Sequence, residues 1–302
     1  MIPLAAVIAA ATGVGLGAER RFGERAQSVA TRLMTLLLWL VLPIVAFFNI
    51  AALQFSVRVW AGVAFGYVAL AVVLLLAFAV GTYVLRLERP GVGALMLAAG
   101  FANTGFLGLP FVAALLGLRE VPNAVAYDAL VSALSLVSVG FSIGAAFGTL
   151  GEGVRARVRS FFVRNPPLYA TVAGFLAPDV LAPDRAGGGS QLLVLATVPA
   201  GVFAVGVTLA RERRGFDRPA PPARAVAAAV VLKVAVAPAV VLALSLLVID
   251  VPGTYLSQAA MASGINILVV ANAYGLDRGL IAAAIAWSTA LVLGVGVAAS
   301  LL

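Results

Sequence analysis

The sequence contains no cysteine and no histidine in its 302 residues. Disulfide bonds, thiolate nucleophiles, histidine general bases and the usual zinc sites are therefore excluded, because each needs one of these side chains. Charged residues are also scarce, at 11% of the chain against about 25% in soluble globular domains. With 63% hydrophobic residues, this composition excludes a soluble globular domain and indicates an all-α integral membrane protein.

Ten apolar segments follow one another along the chain, and short loops between them hold most of the charged residues. Most segments reach the length of about 20 residues that an α-helix needs to cross a bilayer. The segments are 2–18, 33–57, 59–85, 90–118, 121–151, 165–178, 186–210, 225–249, 251–276 and 279–302. We therefore predict ten membrane-spanning helices. The first is expected to be retained rather than cleaved as a signal peptide, because no positive charge precedes it.

The basic residues are distributed unequally between the loops. Of the 20, sixteen lie in loops that follow odd-numbered segments and three in loops that follow even-numbered segments. Because loops rich in lysine and arginine stay in the cytoplasm, the odd loops are expected to be cytoplasmic and both termini outside. These charges indicate membrane orientation, so no nucleic-acid partner is expected.

The fourth segment contains residues that do not favour a continuous helix. Gly105 and Gly108 weaken a helix, and Pro110 removes a backbone donor. Asn103 and Thr104 add polar side chains at the predicted break. Non-helical backbone at membrane depth needs burial in protein or a polar cavity, and broken helices of this kind commonly form transporter sites. The alternative is a proline-kinked helix whose asparagine contacts a neighbouring helix.

The second half of the chain repeats this pattern. Its fourth segment carries Gly264, Ile265 and Asn266, and Asn266 corresponds in position to Asn103. Because each half has five segments, the second half starts from the opposite side of the membrane, and the repeats are inverted. The first repeat, cytoplasmic linker and second repeat are assigned to 1–151, 152–164 and 165–302. The second break has no proline, so a continuous helix is the alternative there.

Two ionisable residues lie inside apolar segments, Asp128 in the fifth and Lys233 in the eighth. A charge inside the membrane is costly and usually functional. Asp128 is a candidate to accept hydrogen bonds from the first break or to carry a proton, and Lys233 to balance an anionic substrate. The alternatives are that Asp128 lies at the membrane surface and that the Lys233 side chain extends to the interface.

The two breaks predict an anionic substrate. At each break the following half-helix begins near the membrane midplane, where its partial positive charge and free N–H groups suit a carboxylate. Neither break contains an acid, and the amides of Asn103 and Asn266 can donate hydrogen bonds to an anion. A carrier of metal cations would more commonly place carboxylates here. We therefore expect no metal site and no cofactor.

Several stretches resemble the auxin efflux carrier family, in order and over nearly the whole chain. The stretch from Asn103 to Pro110, Asn-Thr-Gly-Phe-Leu-Gly-Leu-Pro, closely resembles the fourth-span motif of that family. Similar stretches follow in the sixth to tenth spans: Arg164-Asn165-Pro166-Pro167, Val198-Pro199, Leu232-Lys233 with Pro238, Tyr274-Gly275 and Ser288-Thr289.

The resemblance implies a ten-span fold of two inverted repeats, with crossover helices four and nine, that is shared with the bile-acid sodium symporter group. It also implies elevator-type alternating access and commonly a homodimer. Plant members export the auxin anion, and bacterial members are associated with malonate, malate and similar small carboxylates. The short loops resemble the bacterial type, which predicts a location in a bacterial inner membrane. The chain departs from the family pattern by lacking a proline in the ninth-span break.

The sequence thus predicts a secondary transporter of small organic anions in the lipid bilayer, and not an enzyme. The predicted binding residues are Asn103, Thr104, Gly105, Pro110, Gly264, Ile265 and Asn266, with Asp128 and Lys233 in coupling or charge tuning. A proton or the membrane potential is favoured as the driving force over sodium, because 251–276 contains no acid. The alternatives are a sodium-coupled symporter of the bile-acid type, a cation–proton antiporter on a similar fold, an intramembrane enzyme, and a channel or sensor.

Overall fold

The computed structural model describes residues 4–54, 56–149, 166–178, 181, 189–190, 192–194, 199–204, 206–207, 210–211 and 221–299. In these ranges the chain is helical apart from short connections and one isolated pair of extended residues. The all-helical prediction is confirmed for this part of the chain. The predicted linker at 152–164 and much of the predicted seventh segment lie outside the described residues.

Besides shorter helical stretches between 189 and 211, eleven helices organise the described residues. They are α1 (Leu4–Phe22), α2 (Glu24–Ala51), α3 (Val57–Val84), α4 (Arg89–Gly100), α5 (Thr104–Leu115), α6 (Leu118–Phe147), α7 (Pro166–Leu176), α8 (Ala223–Leu247), α9 (Gly253–Ala259), α10 (Ile267–Tyr274) and α11 (Arg278–Ala299). Five of them, α2, α3, α6, α8 and α11, are long and apolar enough to cross a membrane. Large apolar side chains such as Trp39, Tyr83 and Trp287 are exposed on the outer surface, as expected for helices that face lipid.

Helix α4 is the centre of the main hydrophobic core. It packs against α3, α8, α11 and the end of α6. Ala94, Ala98 and Ala99 are fully buried on it, together with Leu95 and Leu97. These small alanine side chains let neighbouring helices approach closely, which is how helices commonly pack in membranes. Helix α4 is therefore fixed from several sides up to the residue at which it ends.

The first break lies just before the glycines and the proline that predicted it. Helix α4 ends at Gly100, the next three residues are not helical, and α5 begins at Thr104. Gly105, Gly108 and Pro110 therefore lie inside α5. Its first turn is wide, with the N–H of Gly108 donating to the carbonyl of Asn103 at 2.9 Å. Pro110 suits this irregular turn because it has no N–H to donate.

The second break lies between α9 and α10, and it pairs with the first. Ala102 and Ser263 form an isolated antiparallel bridge. The N–H of Asn103 donates to the carbonyl of Ala262 at 2.7 Å, and the N–H of Gly264 donates to the carbonyl of Phe101 at 2.9 Å. The backbone groups released by each break thus satisfy those released by the other, as buried backbone requires. The structure contains no continuous helix through this stretch.

The second break contains no proline, and two serines fix its conformation by hydrogen bonds. The hydroxyl of Ser263 donates to the carbonyl of Ala98 in α4 at 2.7 Å. The hydroxyl of Ser288 in α11 accepts the N–H of Ser263 at 3.0 Å and donates to the carbonyl of Ala284 at 2.6 Å. Both serines are fully buried. The break is therefore fixed to α4 and to α11 by side-chain hydrogen bonds.

We expect Ser288→Ala to destabilise the protein, because it leaves the buried N–H of Ser263 without an acceptor. Such a loss costs about 1–3 kcal/mol. Thermal unfolding of the detergent-solubilised protein should show a lower midpoint. Ser138→Ala is the matched control, since Ser138 makes the same type of hydrogen bond to the carbonyl of Leu134 but is exposed. Equal midpoints for the two variants would contradict this role of Ser288.

Candidate functional site

A cavity of about 260 Å³ lies against the two paired breaks. This is slightly below the range of about 300–1,000 Å³ that is usual for ligand pockets, so the cavity suits a small molecule. Its wall combines both breaks with apolar side chains from α2 and α6. The lining residues that carry the following argument are Asn103, Thr104, Gly105, Gly264, Asn266 and Asp128.

Five of the seven predicted binding residues line this cavity: Asn103, Thr104, Gly105, Gly264 and Asn266. The other two do not. Pro110 is buried within α5, and Ile265 packs against the main hydrophobic core. The two breaks thus contribute to one site through the residues immediately around their extended segments. Pro110 and Ile265 therefore do not form the wall of the cavity.

Asn103 presents an amide that has no hydrogen-bond partner for its nitrogen among the described residues. The residue is only 4% exposed, and its Nδ2 atom is buried and unpaired. An unpaired buried donor is costly, so such groups in native structures call for an explanation. Because Asn103 lines the cavity, a ligand that accepts a hydrogen bond would provide the missing partner. Asn266, at the start of α10, is exposed at the same cavity.

Helix α5 begins at the cavity wall. Thr104, Gly105 and Phe106 line the cavity, and the first four N–H groups of any helix have no carbonyl partner within that helix. The positive end of the helix dipole lies at the same place. The wall therefore carries hydrogen-bond donors and partial positive charge, as the sequence predicted for this break.

Asp128 from α6 brings a carboxylate to the same end of α5. Its Oδ1 atom accepts the Thr104 hydroxyl at 2.5 Å. A Cβ atom added to Gly105 would lie 3.4 Å from both carboxylate oxygens, so the two residues are close. Asp128 also lines the cavity. Asp128 thus accepts a hydrogen bond from the first break, as the sequence suggested for it, and α6 brings to the cavity an acid that neither break contains.

Lys233 lies outside this cavity. It is only 3% exposed, so its side chain does not extend to the surface. It lines a separate small cavity of about 20 Å³, whose wall also includes Phe101, Ala102 and Ser132. These three residues line both cavities, so the two cavities are neighbours. Lys233 thus lies beside the candidate site without lining it, and its role in balancing a bound anion stays a prediction.

Gln258 contacts two helices that border the cavity, and the sequence reasoning missed it. It lies on α9, is fully buried, and donates from Nε2 towards the carbonyls of Ala124 at 3.3 Å and Thr104 at 3.5 Å. A Cβ atom added to Gly108 would collide with its side chain. Gln258 therefore connects α9 to the starts of α5 and α6. An amide near the middle of an apolar segment was the signal that could have revealed it.

The helical fold and the site together define a class of protein. A cavity between two paired interruptions of apolar helices, lined by polar backbone and few charges, is the arrangement of a membrane transporter. The family model described as membrane transport protein matches residues 1–146 and 162–295. The chain therefore belongs to this family, the auxin efflux carrier family, and the resemblance seen in its motifs is confirmed. No curated protein matches the chain.

We expect Gly264→Ala to loosen the pairing of the two breaks. A Cβ atom at Gly264 would lie 2.9 Å from the carbonyl oxygen of Ala102, and this backbone atom cannot rotate away. Overpacking of this kind costs about 1–3 kcal/mol, which thermal unfolding in detergent would report. Gly294→Ala is the control, because Gly294 lies in α11 with open space around it. A midpoint for Gly264→Ala as high as that of Gly294→Ala would contradict the close approach.

Proposed function

We propose that the protein is a secondary transporter of small organic anions, which bind in the cavity between the two breaks. The observation that carries this proposal is the buried, unpaired amide of Asn103 beside the start of α5. Both groups offer hydrogen-bond donors, and the helix end adds partial positive charge. A carboxylate accepts several such hydrogen bonds at once, and bonds to a charged group are stronger than neutral ones.

The lining of the cavity also favours a substrate with few charges. Its lining includes Leu42, Phe106, Phe141 and Ile267, so most of a bound molecule would contact apolar side chains. Ligand sites commonly combine such an apolar lining with a few polar groups that set orientation. Small carboxylates, including malonate and malate, are the substrate class that the resemblance to bacterial members of the family suggests.

Transport requires the site to open to each side of the membrane in turn. We propose ten spans in two inverted repeats, in which α4–α5 and α9–α10 form the crossover helices four and nine. The two reciprocal backbone hydrogen bonds around Ala102 and Ser263 support such a local two-fold relation. A transport domain would then move against a scaffold in an elevator-type step, in a homodimer within a bacterial inner membrane.

A cation–proton antiporter is the second candidate, and Asp128 is the observation that favours it. Carriers of this type use mid-membrane carboxylates, and Asp128 lines the cavity. In the described part of the chain, no group of three or more acidic residues is placed to hold a metal ion. The donors at Asn103 and at the start of α5 suit an anion better than a cation. We therefore favour the anion carrier, driven by a proton or the membrane potential.

Uptake of labelled malonate, malate and indole-3-acetate into proteoliposomes tests the proposal. Each anion is offered with a sodium gradient, a proton gradient or a membrane potential alone. We expect saturable uptake of at least one anion without sodium. Uptake that needs sodium would instead indicate a symporter of the bile-acid type. No uptake of any anion by folded protein, together with cation–proton exchange, would indicate the antiporter.

In the same assay, Asn103→Ala should lower uptake about tenfold to a hundredfold, because it removes a hydrogen bond to a charged group in a buried site. Asn123→Ala is the control, since that amide contacts Glu120 at the start of α6, away from the cavity lining. Size-exclusion profiles of the variants check that both fold. Wild-type uptake by Asn103→Ala would contradict the site.

The proposed topology can be tested with single cysteines, and the natural sequence contains none that must first be removed. Arg119→Cys lies in an even-numbered loop and Glu88→Cys in an odd-numbered one, and both positions are exposed. In intact bacterial cells that express each variant, we expect a membrane-impermeant maleimide to label Arg119→Cys directly. It should label Glu88→Cys only after permeabilisation. The reverse pattern would invert the proposed orientation.

A further inference from the structure

The carboxylate of Asp128 lies where a bound anion would have to place its own charge. Its Oδ1 atom accepts the Thr104 hydroxyl at 2.5 Å, next to Gly105 in the first turn of α5. Residues 103–105 and Asp128 line the same cavity. A carboxylate of the protein itself thus lies beside the positive end of α5.

No cation faces Asp128 among the residues that the structure describes. Besides α6 itself, the helices packed around Asp128 are α2, α3, α5 and α7. The ionisable side chains of α2, Glu24, Arg25 and Arg32, are all exposed. The other ionisable side chains of these helices and of α6 either contact another residue or are exposed. Those with another partner are Arg58 with Asp250, Tyr67 with the Leu130 carbonyl, Glu120 with Thr254 and Tyr127 with Tyr255. Those that are exposed are Arg119, Tyr83 and Tyr169. Lys233 lines the neighbouring small cavity, which shares Phe101 and Ala102 with the larger one. Among the described residues, no charged side chain of the cavity lining therefore compensates for a second negative charge.

Two carboxylates that share a poorly hydrated site cannot both remain charged, because like charges repel strongly where little water screens them. A substrate anion and ionised Asp128 would compete for the start of α5. The conflict disappears when Asp128 is neutral, since a carboxylic acid can donate a hydrogen bond to the bound anion. The Thr104 hydroxyl occupies Oδ1, which leaves Oδ2 to receive the proton.

We propose that Asp128 takes up one proton whenever an anion binds, so that the protein moves one proton with each organic anion. This rests on the proposed function. The proton enters from the aqueous side to which the cavity is open and bonds to the Asp128 carboxylate. After the site opens to the other side, the anion leaves and the proton follows it into that solution. A monovalent anion then crosses without net charge, and a divalent anion crosses with one net negative charge.

The ratio of protons to anions tests this directly. The full-length protein is reconstituted with a pH-sensitive dye inside the liposomes, and labelled malonate, malate and indole-3-acetate are the probes. The pH is chosen so that all three are fully ionised, and protein-free liposomes correct for passive entry. For wild type we expect about one proton per anion. For Asp128→Asn, which cannot bind a proton, the ratio should fall to near zero for whatever uptake remains.

Asp250→Asn is the matched control. It makes the same chemical change at an exposed carboxylate that pairs with Arg58 outside the cavity, and it should keep about one proton per anion. Anion uptake by wild type without proton movement, or an unchanged ratio in Asp128→Asn, would overturn the coupling and leave the anion carrier standing. Failure of wild type to move any of the three anions would overturn both. If Asp128→Asn does not fold, the wild-type ratio decides alone.

Discussion

The backbone pairing of the two helix breaks is the interaction on which the rest of the site depends. Ala102 and Ser263 lie opposite each other, and two backbone hydrogen bonds, one on each side of this pair, join the segments. Without this pairing, the backbone groups at the ends of four half-helices would be buried and unpaired, which an apolar surrounding does not tolerate. The pairing also places the starts of α5 and α10 at one cavity. Structural integrity and the candidate binding site thus have the same origin.

The electrostatics of the site follow from which helices surround that pairing. The start of α5 supplies hydrogen-bond donors and partial positive charge, and α6 supplies the carboxylate of Asp128. Lys233 is near enough to share Phe101 and Ala102 as wall residues, yet it lies in another cavity. The site is therefore neither a simple anion hole nor a simple cation site. The proposed proton uptake by Asp128 suits this balance, because a proton neutralises the acid without adding bulk.

Much of the site was predictable because a membrane limits what a sequence can contain. Asn103, Thr104, Gly264 and Asn266 stood out as polar or glycine residues inside apolar segments, and all four line the cavity. The position of the first break was less predictable. Pro110 and the glycines pointed to the middle of the segment, but the helix is interrupted before them, where Asn103 meets Ala262. Local propensity indicates that a helix is weak, whereas pairing with a distant segment decides where it opens.

By itself the sequence determined the class of protein, its helical composition, the exclusion of cysteine and histidine chemistry, and most of the polar residues of the site. These follow from composition and spacing, which the bilayer constrains directly. Only the tertiary structure decided which polar groups meet. Asp128 with Thr104, Ser263 with Ser288 and Gln258 with Ala124 are each separated by more than 20 residues in the chain. Their contacts depend on how each helix is rotated and packed, and no local pattern in the sequence encodes that rotation.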